Sequence, residues 1–415
     1  MHATSRMPAQ AIFQVRRSPL RETSRIVAVN SLVFLGLDVM KVDERWLFCS
    51  TDAGLNTLLA RLDLACSYAI KFRRSVIFDS SRSGLKAEFS SVFRIRESLP
   101  CNVIPAEKIA DPSEVNGRCL GSPKASSDMI TMAAEVAATL REHSGQGDSH
   151  EPPVMMDRDF DVSADHPASM LVARTLGNDR TAFRMLGHLE LMPAISDRVL
   201  HRVTSLGPRY VALHVRHSDY RSDPERFLWS VRKWVRRRTV LLCTDNREVI
   251  NLARLILGPE ADLRTLVELP DTDGGPIHKA AVTDPMAHAV DLLTDLIAMA
   301  SARRLFIAPL VARSDGKSDR YPAYSGFSRL ALQLRLCPEV LDRLLAAGDP
   351  DLRAACRRGA RIRRLLEWVP TPGTDRDLSF LRMQRHLMRK ARWLLCDERQ
   401  PVSERRYPVS SEILE

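Results

Sequence analysis

The sequence predicts an α/β protein made of two parallel-sheet halves that face a cleft, followed by a basic helical extension. Three observations predict it. Short runs rich in Val, Ile and Leu alternate with segments of helical period over residues 45–81 and again over 210–335, the pattern of mostly parallel sheets covered on both faces. At 415 residues, 45% hydrophobic and 27% charged, the chain can bury two cores, and its composition excludes wholesale disorder. Pro193 and then Gly207-Pro208 interrupt the pattern between the two runs, which puts the boundary between the halves at about residue 200.

Residues 1–44 read as an extension. Their apolar run, 26–37, is broken by Asn30 and Ser31 and ends at Asp38, short of the roughly 20 residues that span a bilayer. No small-residue cleavage site follows it before VDER, so a signal peptide is not predicted; a peripheral anchor is the minority reading.

The first half, 45–200, opens on RWLFCS as a strand, TDAGLN as a turn, LLARLDLACSYAIKF as a helix and SVIFDSS as a second strand, one βαβ unit. Residues 102–151 are rich in Gly, Ser, Pro and Asp around one predicted helix, MITMAAEVAATLREH. PVMM is predicted as a third strand, and residues 181–203 as helix divided at Pro193. The second half, 201–345, alternates strand YVALHV, helix PERFLWSVRKWV, strand TVLLCTD, helix NREVINLARLIL, strand TLVEL, helix DPMAHAVDLLTDLIAMASA, strand RLFIAP and helix SGFSRLALQLR. Residues 346–415 turn basic and helical.

The 61 Lys and Arg against 51 Asp and Glu give a net charge of +10, carried mostly by arginine. Arginine's planar fork suits phosphates, although an arginine-rich composition follows equally from GC-rich coding. The tracts RKWVRRR (232–238) and RRGARIRR (357–364) belong to no nucleic-acid module. They read as solvated helix faces or weak peripheral membrane contacts, and no specific nucleic acid is predicted as a partner. Eight cysteines stand without a C-x-x-C pair, which favours a reduced, cytoplasmic setting without structural zinc.

Ligands of open α/β sheets lie beyond the carboxyl ends of the strands. His214, Arg216, His217 and Asp219 follow the strand YVALHV, and Thr244 and Asp245 follow TVLLCTD. An arginine between two histidines offers a forked donor for a phosphate and neutral donors for a base or hydroxyl; the plainer alternative is an Arg216–Asp219 ion pair beside a hydrogen-bonded, semi-buried His214. Ser325-Gly326, ahead of Phe327 and Ser328, is a helix start, which either caps the helix or holds an anion. Asp295, in an apolar helix with Asp291 and Thr294, is either solvated or aimed at a donor-rich ligand. Gly54 and Asn56 lie in the first turn, where glycine allows close approach. Asp157, Asp159 and Asp161 read as acids of a polar loop in preference to metal ligands.

Together these segments resemble the nodulation (NodZ-type) fucosyltransferase family, relatives of the α-1,6-fucosyltransferases. HVRHSDY, LLCTDN, GGPIHKAA, DLLTDLIAMASARRLFIAP and SGFSRLALQL carry the resemblance in the second half, and GLNTLLARLDLACSYAIKFRRSVIFDSS in the first, with the order of elements kept over about 45–340. The connection between Pro309 and Ser325 is longer than the family's. The resemblance implies a GT-B-like fold of two Rossmann-like domains: an acceptor-side domain over 45–200 and a nucleotide-sugar domain over 201–345. It implies bacterial glycan biosynthesis by inverting transfer of fucose from GDP-fucose to a hydroxyl of a glycan or glycoconjugate, with no metal and no separate cofactor. Position by position, it implies Arg216 on the β-phosphate, His214 and Asp295 on the guanine, Ser325, Gly326, Phe327 and Ser328 at the phosphates, Gly54 and Asn56 at the donor, and His217 against donor or acceptor. It leaves the general base open between Asp219 and Glu225. A transferase for another GDP-sugar, and a non-catalytic binder of sugar or nucleic acid with a degenerate site, are the alternatives.

Overall fold

Five consecutive buried residues, Trp46–Ser50, form strand β1 at the middle of the first sheet. The computed structural model describes residues 45–108, 154–156, 162–168, 170–173, 179–269, 277–313 and 324–361. The extension 1–44, the predicted helix within 102–151, the acids at 157, 159 and 161, the connection 314–323 and the chain after 361 lie outside them.

From β1 the chain enters helix α1 (Leu55–Phe72) and returns as β2 (Ser75–Asp79). A short helix α2 (Phe89–Val92) leads to β3 (Phe93–Ile95), followed by β4 (Val103–Pro105), β5 (Val154–Met156) and β6 (Met170–Ala173). The sheet order is β4-β2-β1-β6-β5, with every pairing parallel. Such a sheet needs apolar residues on both faces: β1 carries Leu47, Phe48 and Cys49, and β2 carries Val76, Ile77 and Phe78, all fully buried.

Residues 181–203 are not a helix divided at Pro193. Helix α3 (Asp179–Gly187) ends before a strand, β7 (Leu189–Leu191), and α4 (Pro193–Thr204) begins after it. Pro193 is in the first turn of α4, where its missing N–H costs nothing. Residues 189–191 pair antiparallel with β3, and that partner takes them out of helix.

One buried charge pair fastens the first half. Asp63 of α1 accepts bonds from Arg184 Nε (2.8 Å) and Nη2 (2.5 Å) of α3. Burial raises the Asp63 pKa against the pull of Arg184. Arg184→Ala strands that carboxylate in the α1–α3 packing, so a loss of about 3–5 kcal/mol in unfolding free energy is expected by urea titration.

Gly207, at a φ of 75°, turns the chain from α4 into the second sheet, a backbone angle that glycine adopts without penalty. β8 (Val211–Val215) and β9 (Tyr220–Ser222) precede helix α5 (Pro224–Val235). β10 (Thr239–Thr244), helix α6 (Arg247–Leu257), β11 (Asp262–Arg264), helix α7 (Pro285–Ser301), β12 (Arg304–Ile307) and β13 (Leu310–Arg313) follow. The main sheet runs β11-β10-β8-β12, again all parallel, while β13 and β9 form a separate antiparallel pair. The expected strand TLVEL is corrected to Asp262–Arg264: the edge of the sheet pairs Asp262 with Thr239 and Arg264 with Leu241. That register leaves residues 265–269 beyond the strand end. Helices α5, α6 and α7 each start with an Asp or Asn cap, Asp223, Asn246 and Asp284, whose side chain accepts from the first-turn amides.

Helix α8 (Gly326–Leu336) packs on α7 and reaches back to α1 and α3 of the first half, and α9 (Pro338–Leu344) packs on α3 and β7. Helix α10 (Pro350–Arg361) lies on α4 and α7. The fold is therefore α/β with two Rossmann-like halves, and its C-terminal helices bridge them.

Candidate functional site

Each sheet changes winding direction at its first strand. β1 lies between β2 and β6, and β8 lies between β10 and β12; the crevice at such a point is where open α/β sheets bind ligands. The carboxyl ends of β1 and β8 open on one cavity of about 570 Å³, a volume within the range of ligand pockets. Ala53, Gly54, Leu55, Asn56 and Gly84 line it from the first half, and His214, Arg216, Asp219, Asp245 and Asp295 from the second.

β8 is fully buried until Val215, and the chain then leaves the sheet at Arg216. Asp245, at the end of the adjacent β10, braces that exit. Its Oδ1 accepts the His217 N–H at 2.7 Å and its Oδ2 accepts the Ser218 hydroxyl at 2.5 Å. Asn246 Nδ2 donates to the His217 carbonyl at 3.1 Å. Arg216 points Nε and Nη2 at Asp219 Oδ1, at 3.0 and 2.5 Å, and its Nε lies 3.8 Å from Asp245 Oδ2. The Arg216–Asp219 ion pair foreseen as the plainer alternative is present, and both residues also line the cavity.

His214 is buried, and its Nδ1 hydrogen-bonds Ser328 Oγ at 2.8 Å. Ser328 in turn gives its N–H to Ser325 Oγ at 3.1 Å, with the two hydroxyls 2.7 Å apart. The cap of α8 therefore also orients the imidazole. Burial, reinforced by Arg216 and opposed by Asp245, brings the His214 pKa down to about 4, so the ring is neutral at pH 7 and can donate from one nitrogen and accept at the other. Asp295 lies on the cavity wall formed by α7, and burial pushes its carboxyl up to about 7, helped by Asp291 and opposed by Cys243 and Arg202.

The two halves meet closely at the cavity. A Cβ on Gly326 would stand 2.6 Å from Asn56 Nδ2 and 2.9 Å from its Cγ, so the α8 N-terminus touches the first turn only because residue 326 has no side chain. His288 Nε2 hydrogen-bonds the Gly84 carbonyl at 3.1 Å, a second link between the halves, and burial lowers its pKa. Gly326→Ala should force the Asn56 amide away, at a cost of about 1–3 kcal/mol. A lowered melting temperature with an unchanged α/β circular dichroism spectrum is the expected readout.

Of the residues singled out in the sequence, Gly54, Asn56, His214, Arg216, Asp219, Asp295, Ser325, Gly326 and Phe327 line this cavity. Ser328 does not: it is buried, and it holds His214. The His217 side chain is not in the lining either; its backbone is the part that Asp245 and Asn246 grip. Glu225 is exposed on α5 and outside the lining. Sequence reasoning missed Glu268, His288, Tyr324 and Arg329, all of which face the cavity. Arg329 carried a signal, since it stands one turn into a helix whose first turn was already suspected of anion binding.

No family model matches the chain, and no curated protein matches it. Among solved structures, the fucosyltransferase NodZ from Bradyrhizobium is similar at 17% identity, over 70% of this chain and 93% of that one, with a TM-score of 0.41. NodZ alpha-1,6-fucosyltransferase soaked with GDP-fucose is similar at 17% identity over 70% and 92%, with a TM-score of 0.40. POFUT1 in complex with GDP is similar at 10% identity over 73% and 96%, also at 0.40.

Proposed function

We propose that the protein is a glycosyltransferase that moves fucose from GDP-fucose to a hydroxyl of a glycan or glycoconjugate acceptor. The observation that carries this reading is Arg216, a fork of N–H donors where β8 ends at the winding reversal of its sheet, in one cavity with Asp295, neutral His214 and the first turn of α8. A guanine presents an N–H and an amino group on one edge, the donors that a carboxylate such as Asp295 accepts, and His214 can complete the recognition. The diphosphate then lies toward Arg216 and Ser325 at the start of α8, where free amides and the helix dipole favour anions.

In this reading the acceptor hydroxyl attacks the anomeric carbon on the face opposite the diphosphate, which inverts the centre. The bond from that carbon to the β-phosphate oxygen breaks, GDP leaves with the electron pair, and Arg216 neutralises the charge that develops there. An arginine in that position does what a divalent cation does in metal-dependent transferases, so neither metal nor cofactor is part of the proposal. The hydroxyl proton goes to a base, for which Asp219 is the candidate in the cavity. In this reading Gly54 and Asn56 lie against the donor, and the acceptor comes from the side of the first half. We place the activity in the cytoplasm, a reducing setting that suits eight cysteines with no C-x-x-C pair among them.

Release of GDP from GDP-fucose, measured with and without a library of hydroxyl acceptors, tests this. Acceptor-dependent release is the expected result. Turnover of GDP-mannose in place of GDP-fucose would move the proposal to another GDP-sugar, and binding without release from any GDP-sugar would leave a non-catalytic binding protein.

A further inference from the structure

Two carboxylates share Arg216, and they are held in different ways. Asp245 is fixed: its side chain is 9% exposed, and its oxygens take the His217 N–H and the Ser218 hydroxyl. Asp219 is not built in like this. Its side chain is 29% exposed, and its Oδ1 takes both Arg216 contacts and the Ser218 hydroxyl at 3.0 Å, bonds made by side chains alone within the same short turn. The two donor atoms that Asp219 occupies, Nε and Nη2, form one edge of the guanidinium, the edge that grips two oxygens of a carboxylate or a phosphate. A carboxylate already lies where a ligand's anion would lie.

We propose that Asp219 is an internal counter-anion of Arg216, displaced by the diphosphate of the incoming nucleotide, so that donor entry and release of the Asp219 carboxylate are one event. The inference rests on the nucleotide reading of the cavity and adds a regulation to it. A phosphate group brings more charge and more acceptor oxygens than a carboxylate, so the exchange runs forward once the rest of the nucleotide is anchored. Before the donor enters, Arg216 holds the Asp219 carboxylate through both its Nε and Nη2 contacts. After the exchange Asp219 is free in the same cavity, which delays activation of an acceptor hydroxyl until the donor is in place.

The test is calorimetric titration of GDP, and separately of inorganic pyrophosphate, into the full-length protein and four variants. Asp219→Asn should bind both anions about two- to fivefold more tightly, because it removes a competitor worth one partly exposed ion pair. Glu248→Gln removes an exposed carboxylate of the same half outside the cavity lining and should change affinity less than twofold. In an Arg216→Gln background, adding Asp219→Asn should give no gain, the coupling a double-mutant cycle reads. Asp219→Ala serves in the same way if the asparagine variant folds poorly.

Unchanged or weaker binding of both anions by Asp219→Asn overturns the proposal. So does a gain that persists without Arg216, or one that Glu248→Gln reproduces, since either outcome reports the general electrostatic field of the protein. If pyrophosphate follows the expected pattern and GDP does not bind, the exchange stands and the guanine reading falls. If neither anion binds to the parent protein or to Asp219→Asn, both fall.

Discussion

Arg216→Ala is expected to weaken GDP binding by at least about a hundredfold, roughly 3 kcal/mol, while the protein stays folded. A charge-assisted bond is worth about 1.5–3 kcal/mol, and a forked arginine makes two. The loss is compounded by what remains. Without the guanidinium, Asp219 and Asp245 face the phosphates with no cation between them, and repulsion replaces attraction. The fold should survive, because Asp245 keeps the His217 N–H and the Ser218 hydroxyl, and Asn246 keeps the His217 carbonyl. Calorimetry for affinity and thermal melting for integrity separate the two effects. If turnover of GDP-fucose is measured, kcat/KM should fall further than affinity does, since the leaving group gains charge on the way to the transition state. An Arg216→Ala protein that binds GDP within threefold of the parent has its phosphate clamp elsewhere.

The second large effect is a pH dependence that Asp295 imposes on nucleotide binding. Burial puts its carboxyl at about 7 in the free protein, so it is largely protonated at pH 6. A guanine edge offers donors and requires the ionised form. Binding therefore expels a proton, and affinity should rise with pH by up to about tenfold per unit below 7 and level off above it. His214, at about 4, stays neutral throughout and adds nothing to the slope. The terminal phosphate of GDP titrates near pH 6 in the same direction, so the contribution of Asp295 is the part of the slope that Asp295→Asn removes. The same variant should lose preference for GDP over ADP, because an amide in that place can present an N–H as well as a carbonyl.

Stability follows with the opposite sign. The folded-state pKa of Asp295 is raised above the unfolded value, so its contribution is fully present below about pH 4 and is lost as pH rises through 7. The ligand-free protein should melt at progressively lower temperature across that window, and Asp295→Asn should flatten the trend.

Much of the frame was legible in the sequence because buried parallel strands are written as continuous apolar runs. WLFCS, SVIFD, VALHV and TVLLCT are such runs, and each became a central strand. Short elements were not legible. β6 is four residues, MLVA, and its place beside β1 is set by pairing with residues 120 positions or more away in the chain. LEL at 189–191 sits between two helices and is too short to show a period of its own; only its partner β3 makes it a strand. TLVEL looked like a strand by composition, but the register at the sheet edge left it as the loop that carries Glu268 to the cavity.

The site divides along the same line. Arg216, His214 and Asp245 were visible as polar residues at the ends of apolar strands, a local signal. His288 and Arg329 face the cavity only because α7 and α8 lie against the first half, and no spacing within either helix announces that. Gly326 was read as part of a helix start, and its closeness to Asn56 belongs to the packing of two segments 270 residues apart. Ser328, suspected as a phosphate ligand, turned out to hold the imidazole.

The central claim is that Arg216, Asp295 and His214 together form a guanosine diphosphate site. Titration of GDP into the parent protein at pH 8, with ADP as the control nucleotide, tests it most directly. Saturable binding of GDP at a ratio of one per chain, with ADP at least about tenfold weaker, is the predicted result. No heat of binding for GDP, or equal affinity for the two nucleotides, would contradict it.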